Sequence, residues 1–206
     1  GTFYDSGMSY PFLLEVKNET YMYFTGWRKG STVPFYNRIG LCIRKNNEDS
    51  FVVKKAPILP LTDDDCFGSG SMQVIKEKES FTMFYTSFLG WTNNKGKISH
   101  KYKLKRTNSS NGIIWDDNRE HLITNMSCKF DNICKPFLHK ENFYFCARDN
   151  GEDYSIYVLE DYLNNDENIK KVDFSIVSSD WDAYGQAYPT LIDINEKTFL
   201  FYSGNN

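Results

Sequence analysis

The stretch Tyr188-Pro189-Thr190-Leu191-Ile192, followed across a polar turn by Thr198-Phe199-Leu200-Phe201-Tyr202, decides the fold, because the chain repeats its pattern four times. Each copy is a short apolar segment that opens on Pro or a small residue and is followed by an aromatic segment. The anchors of the four copies are spaced by 60, 65 and 53 residues. Periods of this size, built from short strands, predict a radial or linear repeat fold. The anchors are Pro11, Ser71, Pro136 and Pro189.

Each unit carries further strand-like segments after its aromatic one. Runs of aromatic and β-branched residues bounded by Asn, Asp, Gly and Lys are typical of strands. The segment from Glu160 to Asn168 fits either a short helical turn or a polar loop. The further strands are expected at Arg38–Ile43, Ser50–Val53, Ile98–Leu104, Ile113–Trp115, Tyr154–Leu159 and Val172–Val177.

Four antiparallel strands per unit form the blade of a β-propeller. The sequence therefore predicts one all-β domain over residues 1–206, with blades at roughly 1–64, 65–130, 131–181 and, in part, 182–206. A propeller must close on itself to protect its strand edges. The chain starts on Gly1 without an initiator Met. We expect a five-bladed propeller present as an incomplete fragment of about four blades, lacking the first. A stack of β-meanders or a sandwich is the alternative.

Composition excludes several classes of function. A net charge of −3 with mixed signs argues against a nucleic-acid partner, and no apolar run approaches the ~20 residues of a membrane span. Five Cys without a CxxC pair and three scattered His predict reduced thiols, no metal site and no cofactor. With no visible signal peptide, a cytoplasmic location is expected. Unpaired strand edges predict possible self-association.

Several short phrases together resemble one known group of proteins. They are Asp5-Ser6-Gly7-Met8-Ser9-Tyr10-Pro11, Tyr21-Met22-Tyr23-Phe24-Thr25-Gly26-Trp27, Val33-Pro34-Phe35-Tyr36-Asn37-Arg38-Ile39-Gly40-Leu41, Pro57-Ile58-Leu59, Gly112-Ile113-Ile114-Trp115, and Trp181-Asp182 before Tyr188-Pro189. The chain resembles the five-bladed propellers of the arabinanase, levansucrase and invertase group, which comprises glycoside hydrolase families 32, 43, 62 and 68. Its poorly characterised bacterial members are the most similar.

The resemblance implies three carboxylates at the propeller axis: an Asp base or nucleophile, an Asp that tunes pKa, and a Glu general acid. Hydrolysis needs two carboxyl groups about 5–9.5 Å apart. This chain departs from that pattern. The first Asp would precede Gly1, the second is replaced by Tyr10, and the Glu would fall near Ser69, where no carboxylate stands.

A different acidic set precedes the opening strands at nearly constant distance: Asp5, Asp65, Asp131 and Asp182. In a propeller these segments approach the axis on one face, where clustered carboxylates would raise one another's pKa and supply an acid–base pair. Asp is also a common turn residue. We take Asp5 and Asp182 as the catalytic candidates, and favour structural roles for Asp65 and Asp131.

The substrate-binding candidates are aromatic or cationic. Trp27 and Trp91 leave aromatic strands at exposed loops, where an indole could stack on a sugar ring, although core packing is an equal alternative. Tyr10 and Tyr188 occupy matching positions before Pro, and Arg148 could bind a carboxylate or phosphate.

Three other residues receive structural assignments: Trp115 and Trp181 as blade core, and Arg38 as an inter-blade contact. The leading interpretation of the whole chain is a glycoside hydrolase-like propeller (EC 3.2.1.-) that acts on or binds a glycan or glycoside in an axial pocket. One alternative is a non-catalytic sugar-binding or scaffold propeller that has lost the acidic triad. The other is a propeller-type glycoside phosphorylase, with Arg148 as the phosphate ligand.

Overall fold

The computed structural model describes residues 1–94, 96–124, 130–149, 152–164, 168–174 and 180–205. Its fourteen strands run in sequence order and pair mostly with their neighbours along the chain. The strands are β1 (Gly7–Val16), β2 (Glu19–Lys29), β3 (Phe35–Lys45), β4 (Val52–Val53), β5 (Gly68–Glu77), β6 (Ser80–Asn94), β7 (Lys97–Ser109), β8 (Glu120–Leu122), β9 (Asn132–His139), β10 (Asn142–Arg148), β11 (Ser155–Leu159), β12 (Ile169–Lys171), β13 (Gly185–Ile194) and β14 (Lys197–Asn205).

Antiparallel pairing groups the strands into four sets, which are called blades below. Blade 1 is β1–β4, blade 2 is β5–β8, blade 3 is β9–β12, and β13 with β14 forms blade 4. Single parallel bridges, Asn37 to Gly68 and Tyr102 to Asn132, join the third strand of one blade to the first strand of the next. The described residues contain strands and short 3-10 turns and no α-helix, which confirms the all-β prediction.

Two expectations about the edges of the chain remain predictions. Within the described ranges no strand ladder joins β1 to blade 4, and β14 pairs with β13 alone. Neither the missing first blade nor self-association follows from this arrangement. The described part of the chain also contains no helix that is long and apolar enough to cross a membrane.

The outer strand of blade 2 was placed wrongly. Ile113–Trp115 is a turn, and the fourth strand is β8. The reason is a dense set of local hydrogen bonds: the Asn111 Oδ1 atom accepts the backbone N–H groups of Ile113 and Ile114 at 2.8 and 2.9 Å, and Ser109 Oγ accepts that of Gly112. Short polar side chains that satisfy nearby backbone groups compete with strand pairing.

Hydrophobic packing occurs between neighbouring blades. Alternation along β6 turns Met83 and Tyr85 toward blade 1 and Phe84 toward blade 3, because successive side chains of a strand point to opposite faces. Tyr23, Ile39 and the other members of the first cluster fill the space between blades 1 and 2. Trp115 belongs to this core, as expected, whereas Trp181 is 51% exposed and was wrongly assigned to it.

Every innermost strand contains a β-bulge at the same place. The register shifts between Ser9 and Phe12 in β1, and at matching points in β5, β9 and β13. The bulged residue has a left-handed backbone that costs a non-glycine residue about 1–2 kcal/mol. Pro or Met follows it, and Pro is tolerated there because a bulge leaves one residue unpaired. The bulged residues are Tyr10 (φ 53°), Ser71 (φ 45°), Lys135 (φ 59°) and Tyr188 (φ 63°).

The backbone N–H of the bulged residue is bound by the preceding blade. Ser71 donates to Thr25 Oγ1 at 2.9 Å, and Lys135 donates to Thr86 Oγ1 at 3.1 Å. In the next joint Tyr188 donates to the Cys146 Sγ atom at 3.2 Å. One hydrogen bond therefore recurs at each of these three blade junctions and satisfies a donor that the bulge removes from the ladder.

This joint predicts a specific cost for Thr25→Val, which keeps the side-chain shape and removes the acceptor. Leaving the Ser71 N–H unsatisfied in the interior should lower the free energy of unfolding by about 1–3 kcal/mol. Urea denaturation measures the change. Thr82→Val is the matched control on the exposed part of β6, where the hydroxyl bonds Asn108, and should stay within about 0.5 kcal/mol of wild type. Equal losses of unfolding free energy in Thr25→Val and Thr82→Val would show that the hydrogen bond from Ser71 to Thr25 does not stabilise the blade junction.

Candidate functional site

The four bulged residues meet where the inner strands β1, β5, β9 and β13 lie side by side, and they separate two cavities. The apolar cavity, about 310 Å³, lies on the side of the Pro residues and is bordered by side chains such as Phe12, Phe137 and Leu191. The other, about 340 Å³, is called the axial pocket below. It is lined by Tyr10, Phe35, Asn37, Ser71, Thr86, Phe88, His100, Tyr102, Cys134, Lys135, Cys146, Arg148, Tyr154, Ala187 and Tyr188.

The axial pocket is the candidate functional site, because ligand pockets combine aromatic walls with a few convergent polar groups. Its wall on blade 2 is a cluster of stacked rings. His100 stacks on Tyr102 with centroids 4.1 Å apart, and Phe88 meets Tyr102 edge to face at 4.4 Å. Trp91 packs behind this wall, 4.8 Å from Phe35 and 5.5 Å from His100.

Lys135 lies between two tyrosine rings at the floor of the axial pocket. Its Nζ atom is 2.6 Å from the Tyr10 ring centroid and 4.3 Å from that of Tyr188, and the two rings are stacked 5.6 Å apart. The Nζ atom is buried and has no hydrogen-bond partner among the described residues. The ring faces and the neighbouring thiols favour the ammonium form, but burial opposes it more strongly and lowers the pKa of Lys135 to about 6.

Arg148 supplies the second cation. Its guanidinium carbon lies 4.4 Å over the Tyr154 ring, and Nη2 donates to the His100 Nε2 atom at 3.4 Å. Burial, and then the nearby guanidinium charge, lower the pKa of His100 to about 4, so the imidazole is neutral near pH 7. Within the part of the chain that the structure describes, the buried Arg148 Nε atom has no hydrogen-bond partner.

Two cysteines complete the wall on blade 3. Cys134 and Cys146 are opposite one another in the β9–β10 register and are buried free thiols. Burial raises the pKa of Cys146. Burial also acts to raise the pKa of Cys134, but the hydrogen bond with Cys146 and the charge of protonated Lys135 outweigh it, so the pKa of Cys134 is lowered. The other described cysteines, Cys42 and Cys66, are also free, and Cys128 lies outside the described residues.

The structure brings three of the predicted site residues together: Tyr10, Tyr188 and Arg148 all line the axial pocket. Trp91 is not among the lining residues, but its ring packs against Phe35 and His100, which are. Trp27 instead covers the start of β1, where a Cβ atom added to Gly7 would lie 2.6 Å from the indole nitrogen. Contacts between a ligand and these five candidate residues stay predictions.

The two catalytic candidates lie away from the axial pocket. The Asp5 carboxylate accepts the backbone N–H and the hydroxyl of Thr2 at 2.6 and 2.7 Å, and these bonds lower its pKa, whereas clustering was expected to raise it. Asp182 accepts the Tyr202 hydroxyl at 2.6 Å beside a separate cavity of about 440 Å³ that includes Phe174. Among the described residues that line the axial pocket there is no carboxylate. Catalysis by Asp5 and Asp182 stays a prediction.

Asp65, before the opening strand of blade 2, is the centre of a buried network. Its carboxylate accepts Tyr85 at 2.7 Å, Lys105 at 3.0 Å and Arg119 at 2.8 Å, and it also binds Ser87. This buried network ties the segment before β5 to the middle of blade 2. Asp182 precedes Tyr202 by 20 residues, as Asp65 precedes Tyr85, and it accepts that tyrosine's hydroxyl in the same way. Blade 4 therefore repeats the contact.

Arg38 and Asp131 match their structural assignments. Arg38 Nη1 binds the Asn37 carbonyl at 2.7 Å and the Phe67 carbonyl of the next blade at 3.4 Å. Asp131 forms an exposed ion pair with Lys101 at 3.8 Å. Sequence reasoning missed Lys135, His100 and the Cys134–Cys146 pair. Lys135 carried a usable signal, because it stands before Pro136 as Tyr10 and Tyr188 stand before theirs.

Comparison with known proteins agrees with this architecture. No family model matches the chain. The chain is 29% identical over 214 residues to the uncharacterized protein Rv1502 of Mycobacterium tuberculosis, a match that covers 100% of this chain and 69% of the relative. A solved structure described as a glycoside hydrolase superimposes with a TM-score of 0.67 at 14% identity, over 100% of this chain and 68% of that one.

An α-L-arabinofuranosidase from Lactobacillus brevis superimposes with a TM-score of 0.61 at 12% identity, over 95% of this chain and 64% of its own. Likeness at these identities defines a fold. The chain has the propeller-type fold of glycoside hydrolases, as the resemblance predicted.

The buried network predicts a large cost for Asp65→Asn. Lys105 and Arg119 would keep buried charges without their carboxylate, which typically costs about 3–5 kcal/mol. Urea denaturation at pH 7 measures the loss. The control Asp131→Asn removes an exposed ion pair and should change stability by less than about 1 kcal/mol. An unchanged free energy of unfolding in Asp65→Asn would show that the network does not stabilise blade 2.

The same carboxylate predicts an acid limit to stability. Burial disfavours its charge, but the hydrogen bonds from Ser87, Arg119, Tyr85 and Lys105 outweigh burial and lower its pKa below 3.8. Its contribution is therefore complete above pH 3.8 and is lost as the pH falls through the lowered value. Thermal denaturation between pH 7 and pH 2 should show a smaller acid loss for Asp65→Asn than for wild type. Parallel curves would contradict this assignment.

Proposed function

We propose that the chain is a carbohydrate-binding propeller of the glycoside hydrolase type, which holds a glycan or glycoside in the axial pocket. The observation that carries this proposal is the pocket itself. Rings from blades 1, 2 and 3, among them Phe35, Tyr102 and Tyr154, surround polar groups on the strands that converge at the axis. Flat apolar faces beside polar groups suit a sugar ring, which is apolar on its faces and polar at its rim.

Hydrolysis is the finer part of the proposal. It requires two carboxyl groups that flank the glycosidic bond. The described lining supplies polar, aromatic and cationic groups in their place. These residues support sugar binding directly, and hydrolysis would require carboxylates from elsewhere in the protein or a rearrangement that brings Asp5 or Asp182 to the ligand.

Phosphorolysis is the second candidate, favoured by one observation. Two basic side chains, Lys135 and Arg148, line the axial pocket, and neither forms an ion pair among the described residues. A phosphate ion that attacks a glycosidic bond needs such groups to hold its charge. Cleavage of a glycoside only in the presence of inorganic phosphate would support this candidate over hydrolysis.

Sugar binding is tested with Tyr188→Asn. Tyr188 lines the axial pocket and has a left-handed backbone, which Asn tolerates. Glycan-array screening followed by calorimetry on the best ligand should show binding that is weakened about tenfold, equivalent to about 1.4 kcal/mol. Tyr184→Asn, at an exposed tyrosine outside the pocket, is the matched control and should bind as wild type. Equal affinities for both variants would place the sugar elsewhere.

Catalysis by the predicted acids is tested with Asp5→Asn and Asp182→Asn. Turnover of aryl glycosides is measured per folded molecule, with Asp131→Asn as the control. If either carboxylate acts on the substrate, its Asn variant should lose about 10²-fold or more in turnover while Asp131→Asn retains it. Unchanged turnover in both variants, or a loss explained entirely by unfolding, would assign them structural roles.

A further inference from the structure

We propose that the axial pocket selects a sugar that carries an anionic group, a carboxylate or a phosphate, and that this group is held by Arg148 and Lys135. The inference rests on the proposed function, because it names the class of carbohydrate for the same site. It follows from the charges and unpartnered atoms of the pocket.

Arg148 is positioned for an anion. The neutral His100 imidazole accepts one of its N–H groups and the Tyr154 ring covers the guanidinium, so these contacts hold it without neutralising its charge. The buried Nε atom has no acceptor among the described residues. Arg offers several donors in a fixed fork that matches carboxylate and phosphate oxygens, and a partly buried fork with an unused donor is costly unless a ligand supplies the acceptor.

Lys135 gives the second observation, from a different strand. No described residue supplies an acceptor for its buried Nζ atom, which lies in the same pocket between Tyr10 and Tyr188. Lys105 and Arg119, whose side chains are almost completely buried, in contrast share the carboxylate of Asp65. The axial pocket therefore holds the Arg148 guanidinium and an amine that can take up a proton, with no lining carboxylate among the described residues, and a neutral sugar offers neither group a counter-charge.

Anion binding should be linked to proton uptake. Since the pKa of Lys135 is about 6, its amine is mostly neutral at pH 7.5 in the free protein. A nearby anion favours the ammonium form and raises that pKa, so the complex takes up a fraction of a proton. Affinity should rise as the pH falls from 7.5 toward 6 and then level off. The titratable and charged groups around the amine are Tyr10, His100, Tyr102, Cys134, Cys146, Arg148, Tyr154 and Tyr188.

The test is isothermal titration calorimetry on the whole chain with four probes: glucuronate, glucose, glucose 6-phosphate and inorganic phosphate. Glucuronate is titrated in two non-phosphate buffers of different ionisation enthalpy at pH 7.5, which gives the number of protons taken up. We expect glucuronate or glucose 6-phosphate to bind about tenfold or more tightly than glucose, because hydrogen bonds to charged groups are the strong ones. Proton uptake should accompany glucuronate binding.

The variants are Lys135→Met and Arg148→Met, with Lys17→Met as the control. Lys17 is an exposed lysine with the same left-handed backbone, φ 57° against 59° for Lys135. Lys135→Met should abolish proton uptake and the preference for the charged sugar over glucose, and Arg148→Met should reduce the preference. Lys135→Gln, with a polar side chain, serves if the Met variant fails to fold.

The outcomes separate the two proposals. Equal binding of glucose and the charged sugars, or proton uptake that persists in Lys135→Met, overturns the anionic-sugar inference and leaves sugar binding intact. Inorganic phosphate that binds as tightly as glucose 6-phosphate, with no sugar bound, supports an anion site but contradicts the proposed function. Preference for glucuronate over glucose 6-phosphate identifies a uronate ligand, and the reverse identifies a sugar phosphate.

Discussion

A hydrogen bond between a bulged residue and the preceding blade organises the rest of the structure. The bulge turns one backbone N–H out of the strand ladder, and a side chain on the neighbouring blade accepts it: Thr25, Thr86 and Cys146 at successive junctions. A left-handed, non-glycine backbone persists only where its surroundings determine it strongly. Here the hydrogen bond and the inter-blade hydrophobic packing act together. The joint links the inner strands β5, β9 and β13 to the blades that precede them.

The hydrogen bond at the bulge also explains why chemically different side chains can occupy the bulged positions beside the axial pocket. At three of the bulges the joint uses only the backbone N–H of the bulged residue, so the side chain there is free to differ: Ser71, Lys135 and Tyr188 occur at these positions, and Tyr10 occupies the matching position in β1. These side chains form the boundary between a polar and an apolar cavity. A lysine at one of the four positions, with Arg148 close to the same cavity, makes the pocket cationic where the resemblance implies carboxylates.

The sequence predicted the all-β architecture, because strand periodicity is a local signal, and three of the residues it singled out, Tyr10, Arg148 and Tyr188, line the axial pocket. It did not distinguish the strand at Glu120–Leu122 from the turn at Ile113–Trp115, since the turn depends on side-chain acceptors such as Asn111. The acidic pattern before each strand was real, but in blade 2 its physical cause is a buried network. Nothing local in the sequence shows that Asp65 meets Lys105 and Arg119, which lie 40 and 54 residues away.

The most direct test of this account is a crystal structure of the protein soaked with an oligosaccharide that binds it in solution. The account predicts one sugar residue in the axial pocket, with a ring face against Tyr102 or Tyr188 and polar groups directed at Arg148. Density for the sugar on an outer blade surface, or in the cavity beside Asp182 with the axial pocket unchanged, would contradict it.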